Sequence, residues 1–188
     1  PSASGSQPIF DRIGIVGIRL IGGSIALAVR QRWPACLVIG VDDKSVLEVA
    51  QRMHAVDVSA DDLTMLSDAQ LVVLAGSIQD NLNVLKLLDE YVNETALITA
   101  VTSSPSIDVS LAAKFPHRFS YISGKLSVDE VNGGIMQARA DLFSGRKWFL
   151  TPERVNSNEV IDKMSKFVSE LGAIPTIVDS LSDKKEKA

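Results

Sequence analysis

The stretch Arg12-Ile13-Gly14-Ile15-Val16-Gly17-Ile18-Arg19-Leu20-Ile21-Gly22-Gly23-Ser24 constrains the fold more than any other in the chain. A short apolar run ends at Gly17, a tight turn follows, and a second apolar run opens at Gly22. That order predicts a buried strand, a turn, and a helix whose first amides face the space above the strand. Helix N-termini of this kind attract phosphate, because their first N–H groups lack intrahelical partners and the peptide dipoles add there. In turns that bind a dinucleotide, one glycine makes the turn, a second lets the pyrophosphate approach bare backbone, and a third lets the helix pack on the strand. Gly17 and Gly22 fill the first and third places, and Arg19 occupies the second. The candidate cofactor turn is therefore Gly17, Ile18, Arg19, Leu20, Ile21 and Gly22, with a long cation where the middle glycine is expected.

The residues that follow give the turn its context. Val38-Ile39-Gly40-Val41-Asp42 reads as a second buried strand, and its terminal acid stands where a carboxylate accepts hydrogen bonds from an adenosine ribose. Asp43 adds a second carboxylate, which favours NAD over NADP by repelling a 2′-phosphate. Asp42 and Asp43 would equally serve as the cap and first-turn anion of the next helix. Apolar periodicity predicts helices from about Gly22 to Trp33, from Lys44 to Met53 and from Ile78 to Val92. A further helix is read over Ile107 to Phe115, and another over Ser157 to Leu171, started by Asn156 with Glu159 and stopped by Gly172. Continuous apolar runs at 70–75 and 96–101, with shorter ones at 119–122, 148–150 and 176–178, read as strands buried on both faces. Strands alternating with helices predict a Rossmann-type, doubly wound α/β fold: a mostly parallel sheet, helices on both faces, the first strand central and Gly17 at its carboxyl end.

A chain of 188 residues with 46% hydrophobic side chains suits one such domain. Residues 1–8 are expected to be a disordered leader, 9–180 the dinucleotide-binding domain and 181–188 a charged tail. A net charge of −4 argues against a nucleic-acid or anionic-membrane partner, and no apolar run approaches the length of a membrane span. A cytoplasmic location is the simplest expectation. Cys36 is the only cysteine, so no internal disulfide can form. No metal-ligand spacing is present, and Cys36 beside a strand is expected to be a core residue.

Gly14-Ile15-Val16-Gly17 with Leu20-Ile21-Gly22-Gly23-Ser24, the Val41-Asp42 strand end, and Asp141-Leu142-Phe143-Ser144-Gly145-Arg146 leading to Leu150-Thr151-Pro152 resemble the prephenate and arogenate dehydrogenases of tyrosine biosynthesis. The likeness covers about residues 9 to 180. It implies hydride transfer from the ring hydroxyl carbon of prephenate or arogenate to NAD, with loss of carbon dioxide. It also implies further cofactor positions at Ala75, Ser77 and Val101. The sequence departs from the family pattern at Arg19 for glycine, Gly76-Ser77 for alanine and proline, Ala100 and Thr102 for aspartate and glycine, Pro105 for lysine, and Lys125-Leu126 for histidine and proline.

The resemblance makes Ser103 and Lys125 the catalytic candidates. The family's histidine at position 125 accepts a hydrogen bond from the substrate hydroxyl. A histidine with a pKa near ~6.5 can do so at neutral pH, whereas a lysine near ~10.4 is a cation without an acceptor. Lys125 could act as a base only if burial lowered its pKa; otherwise it is a solvated lysine. Ser103 matches a family serine that helps hold the same hydroxyl, or it caps the helix after Pro105. Ser24 could reach a phosphate or simply meet backbone amides. His54 and His117 read as exposed loop histidines, and Trp33 and Trp148 as packing residues.

The family follows this domain with a helical one that builds its dimer and completes the substrate pocket; no such sequence is expected after Val178, and no family dimer is expected of this chain. With Arg19 at the pyrophosphate turn NAD binding is expected to be weak or lost, and with Lys125 at the histidine position and no second domain turnover is expected to be impaired. The alternative is a non-catalytic Rossmann-fold interaction module, either a dead paralogue or a redesigned scaffold.

Overall fold

A computed structural model describes residues 6–93, 95–103, 119–127, 133–153 and 155–179. The predicted helix at 107–115, His117 and the charged tail lie outside the described residues. In chain order the elements are β1 (Arg12–Val16), α1 (Leu20–Arg32), β2 (Leu37–Val41), α2 (Lys44–Arg52), β3 (Val58–Ala60), β4 (Leu71–Leu74) and α3 (Ile78–Tyr91). They continue with β5 (Leu97–Thr102), β6 (Ser120–Leu126), β7 (Lys147–Pro152), α4 (Asn158–Glu170) and β8 (Ile174–Ile177). Short 3₁₀ turns stand at Thr64–Leu66 and Ile135–Gln137.

The strands form one sheet in the order β3-β2-β1-β4-β5-β6-β7-β8. Every neighbouring pair is parallel except β6 with β7, so β7 and β8 run against the other six. β1 lies inside the sheet between β2 and β4, and the chain leaves β1 toward opposite sides in its first and second halves. This is the switch point at which the carboxyl ends of parallel strands open a crevice.

Two apolar cores explain why these strands read as continuous hydrophobic runs. On one face Ile13, Ile15, Val38, Leu71 and Val73 pack with Ile21, Ile25 and Val29 of α1 and Met164, Phe167 and Val168 of α4. On the other, Ile39, Val41, Val72, Leu74, Ile98 and Tyr121 meet Leu85 and Leu88 of α3. Alternate residues of one strand thus enter different cores, as both-sided burial requires. Trp33 stacks on Phe167 at 5.6 Å and Phe10 meets the same ring edge-on at 5.5 Å, tying the start of the sheet to α1 and α4. Trp33 and Trp148 are both buried, in keeping with packing roles.

Several boundaries differ from expectation. Ser6 accepts a hydrogen bond from the Arg32 guanidinium, so the described chain is held to α1 ahead of the expected boundary at residue 9. α1 begins at Leu20, before Gly22, because the glycine is needed inside the first turn. β6 runs four residues beyond Ile122: pairing with β5 on one side and β7 on the other extends it through Gly124 and Lys125, which carry no strand signal. α4 is capped by Ser157, whose Oγ accepts from the Val160 N–H at 3.3 Å. Asn156 instead accepts from the Glu153 N–H at 2.7 Å and so belongs to the preceding turn. Gly172 does terminate α4, at φ +95°.

Candidate functional site

The site grows from three loops at the carboxyl ends of β1, β2 and β4. Gly17 takes φ +93°, and a Cβ there would stand 2.8 Å from the Gly76 nitrogen and 2.9 Å from the Ala75 carbonyl carbon. The turns after β1 and β4 therefore touch backbone to backbone. A Cβ on Gly22 would stand 1.8 Å from the Gly17 oxygen, so only glycine lets α1 begin this close to the turn. Arg19 is the N-cap of α1, with φ −108° and ψ −142°, a conformation that does not demand glycine. Its carbonyl accepts the Gly23 N–H at 2.8 Å.

Asp42 ties the first loop to the second. Its Oδ2 accepts the Ile18 N–H at 2.8 Å and its Oδ1 the Asp43 N–H at 2.7 Å. The Arg19 Nε stands 4.0 Å from the same Oδ2, with the arginine side chain 61% exposed and that of Asp42 only 8%. Arg19 thus turns outward along the rim instead of filling the crevice. Asp43 is the N-cap of α2 but makes no side-chain capping bond, which leaves its carboxylate at the cleft wall.

The third loop is held by a residue that sequence reasoning passed over. Asn81, buried on α3, accepts the Gly76 N–H at 3.0 Å through Oδ1, and its Nδ2 lies 3.5 Å from the Leu74 carbonyl. A polar residue on the apolar stripe of Ile78, Leu82 and Leu85 was the available signal. Ser77 caps α3, accepting from the Asp80 N–H at 3.1 Å and donating to its carboxylate at 2.7 Å.

These loops enclose a cleft of about 590 Å³, within the usual range for small-molecule sites. Gly17, Arg19, Leu20, Ile21, Asp42 and Asp43 line one side. Ala75, Ser77, Val101 and Ser103 line the other; Asn81 beside them and Asp61, which follows β3 on the Asp42 side, also line the cleft, and the sequence had not singled them out. Ile18, Gly22 and Lys125 are not among the lining residues. Ile18 is fully buried against Gly40, where a Cβ would come within 3.2 Å of its Cγ1, so it reaches the cleft edge only through its backbone. Gly22 acts by its missing side chain. Lys125 pairs in register with Thr102, which does line the cleft, and stands one strand beyond it.

Other candidates fall away from the cleft. Ser24 is fully buried and accepts the Arg139 N–H at 3.0 Å, bracing α1 against the segment after Gly133; it does not face a phosphate. His54 closes α2 in the left-handed region at φ 57° and is exposed. Cys36 is buried, and desolvation, followed by the charges of Asp57 and Asp11, pushes its thiol up to about 12. Among the described residues no group of His, Cys, Asp and Glu could hold a metal ion. None of their helices is long and apolar enough to cross a membrane.

Comparison with known proteins identifies what carries this architecture. The family model described as "Prephenate dehydrogenase, nucleotide-binding domain" matches residues 25–176. The chain belongs to this family. The matched span opens at Ile25, inside α1, so the likeness is carried by the sheet and helices beyond the glycine turn. Prephenate dehydrogenase of Bacillus subtilis (strain 168) is 27% identical over 162 residues, covering 84% of this chain and 44% of the relative. The chain therefore spans under half the length of that protein. The crystal structure of Synechocystis arogenate dehydrogenase superposes with a TM-score of 0.82 at 27% identity, over 93% of this chain and 62% of that one. Prephenate dehydrogenase from A. aeolicus, solved with hydroxyphenyl propionate and NAD+, gives the same TM-score at 19% identity, over 93% and 61% of the two chains, and shares the fold.

Within this prephenate dehydrogenase nucleotide-binding domain, the departures from the family pattern have distinct surroundings. Arg19 is accommodated on an exposed rim. A Cβ on Gly76 would point at the start of α3, 3.1 Å from the Asp80 Cβ and 3.2 Å from the Asn81 Oδ1. Lys125 lies on β6 between Thr102 and Phe149, half-buried, at the carboxyl end of the parallel block.

Proposed function

We propose that the chain is the cofactor-holding unit of a cytoplasmic prephenate- or arogenate-type dehydrogenase of tyrosine biosynthesis, and that NAD is its cofactor. The observation that carries this is the cleft itself, where the Gly17 turn, the N-terminus of α1 and Asp42 meet at the β1/β4 switch point. The residues suit a dinucleotide. The first turn of α1 carries no acid, so an anion meets partial positive charge there. Asp42 and Asp43 stand at the ribose end, where carboxylates accept hydroxyls and oppose a 2′-phosphate. The A. aeolicus relative, of the same fold, holds NAD+.

NAD supplies the hydride acceptor. The protein's part is orientation and charge placement. Asp42 fixes the turn and presents its remaining lone pairs to the ribose, while Val101 and Ser103 line the far end of the cleft, where Ser103 has a hydroxyl to hold a substrate oxygen. Lys125 is one strand away and, as an ammonium, donates hydrogen bonds but accepts none. It does not replace a base, so the 188-residue chain on its own turns over prephenate and arogenate far below the rate of an intact site. Loss of a positioned acid or base costs ~10²- to 10⁴-fold.

The test is calorimetric titration with NAD and NADP, followed by NADH formation from prephenate or arogenate. NAD binding with weaker NADP binding and no robust turnover is the expected result. Preference for NADP would refute the role given to Asp42 and Asp43, and family-like NADH production would refute the role given to Lys125.

A further inference from the structure

The cleft has a conspicuous imbalance of charge. Among the described residues its lining carries the carboxylates of Asp42, Asp43, Asp61 and Asp80, and one cation, Arg19. A ligand with a diphosphate brings more negative charge into that space. Asp80 is engaged with Ser77, and Asp42 has each oxygen on a backbone N–H. The Arg19 guanidinium is committed to neither. Among the described residues no side-chain hydrogen bond holds it, its contact with Asp42 is an ion pair at 4.0 Å, and 61% of the side chain is exposed.

Its position matches that freedom. Arg19 is the N-cap of α1, directly beside Leu20 and Ile21, which also line the cleft. Its φ is negative, so the backbone at this position does not require glycine. A guanidinium is a planar fork of donors suited to two phosphate oxygens at once.

We infer that Arg19 is the diphosphate ligand of this cleft, a cation that grips the pyrophosphate where related turns offer only bare backbone. The inference rests on the cofactor reading above. In the free protein Arg19 is loosely paired with Asp42; on binding, its donors pass to the phosphate oxygens while Asp42 stays latched to the turn through the Ile18 and Asp43 amides. The arginine thus compensates both for the absent glycine and for the surrounding carboxylates.

Titration of the 188-residue chain with NAD, ADP and adenosine, followed by NMR, separates the possibilities. Arg19→Ala should weaken NAD and ADP about tenfold, the size of one charge-assisted hydrogen bond, and leave adenosine unchanged. Arg19→Lys should retain part of the affinity, and ADP binding to the parent chain should fall more steeply with salt than binding to Arg19→Ala. The exposed side chain makes folding of these variants straightforward to confirm by their thermal transitions. Unchanged or tighter ADP binding in Arg19→Ala or Arg19→Gly overturns the inference and leaves the cofactor reading intact. An equal loss for adenosine also overturns it, by assigning Arg19 to the ribose. Failure of the parent chain to bind either NAD or ADP overturns the cofactor reading and the inference together.

Discussion

Gly22 shows how much one missing side chain can fix. Its Cβ would stand 1.8 Å from a backbone oxygen, which no rotamer change relieves, so Gly22→Ala should cost about 3 kcal/mol, the upper end for overpacking, in denaturant unfolding. Gly134→Ala is the control: the nearest atom to its Cβ is the end of a flexible glutamine at 3.8 Å, and the cost should stay within about 0.5 kcal/mol. Gly17 and Gly22 were legible in the sequence because turn chemistry leaves a compositional mark. Arg19 was legible as a departure, but its direction was not, since nothing in a linear pattern tells an outward side chain from one that fills a crevice. Ser24 meets a backbone amide, one of the two readings open to it, but which amide was not legible, because Arg139 is far away in sequence. Cys36 carries a prediction of its own. Burial raises its thiol to about 12 from an ordinary 9.0, so between those values the unfolded chain ionises while the native one does not. Stability should fall as pH rises through that window, and Cys36→Ser should remove this part of the loss. Native-state alkylation near neutral pH should be slow.

Among the elements, the parallel strands were the most legible, because burial on both faces leaves an unbroken apolar run. β3 was missed because its three residues, Val58–Ala60, are too few to establish a pattern. The second half of β6 was missed because Ser123, Gly124 and Lys125 look like a loop; their strand conformation comes from neighbours on both sides. The same blindness hid Asn81, whose value lies in joining α3 to the β4 exit. Asn81→Leu keeps the volume and removes both polar contacts, leaving the Gly76 N–H without its acceptor. A loss of about 1–3 kcal/mol is expected, and Gly76 should exchange its amide hydrogen faster. Retained stability and protection in that variant would show that the loop is held by the Gly17 contact alone.

At the scale of the whole molecule, two apolar cores fix the sheet, and the reversal of chain direction about β1 leaves three loops facing one cleft. The family and fold were readable because glycine turns, strand-end acids and loop signatures are spread along the chain. What the sequence withheld was the assembly of the site: which loop residues line the space, and that Lys125 falls one strand outside it. The central claim is that this cleft takes NAD, and residue-resolved NMR titration with NAD tests it most directly. Saturable shifts are expected at the amides of Gly17, Leu20, Asp43, Gly76 and Val101, with those of Ile174, Thr176 and Ile177 at the sheet edge unmoved. Shifts confined to other surfaces, or none at millimolar NAD, would contradict it.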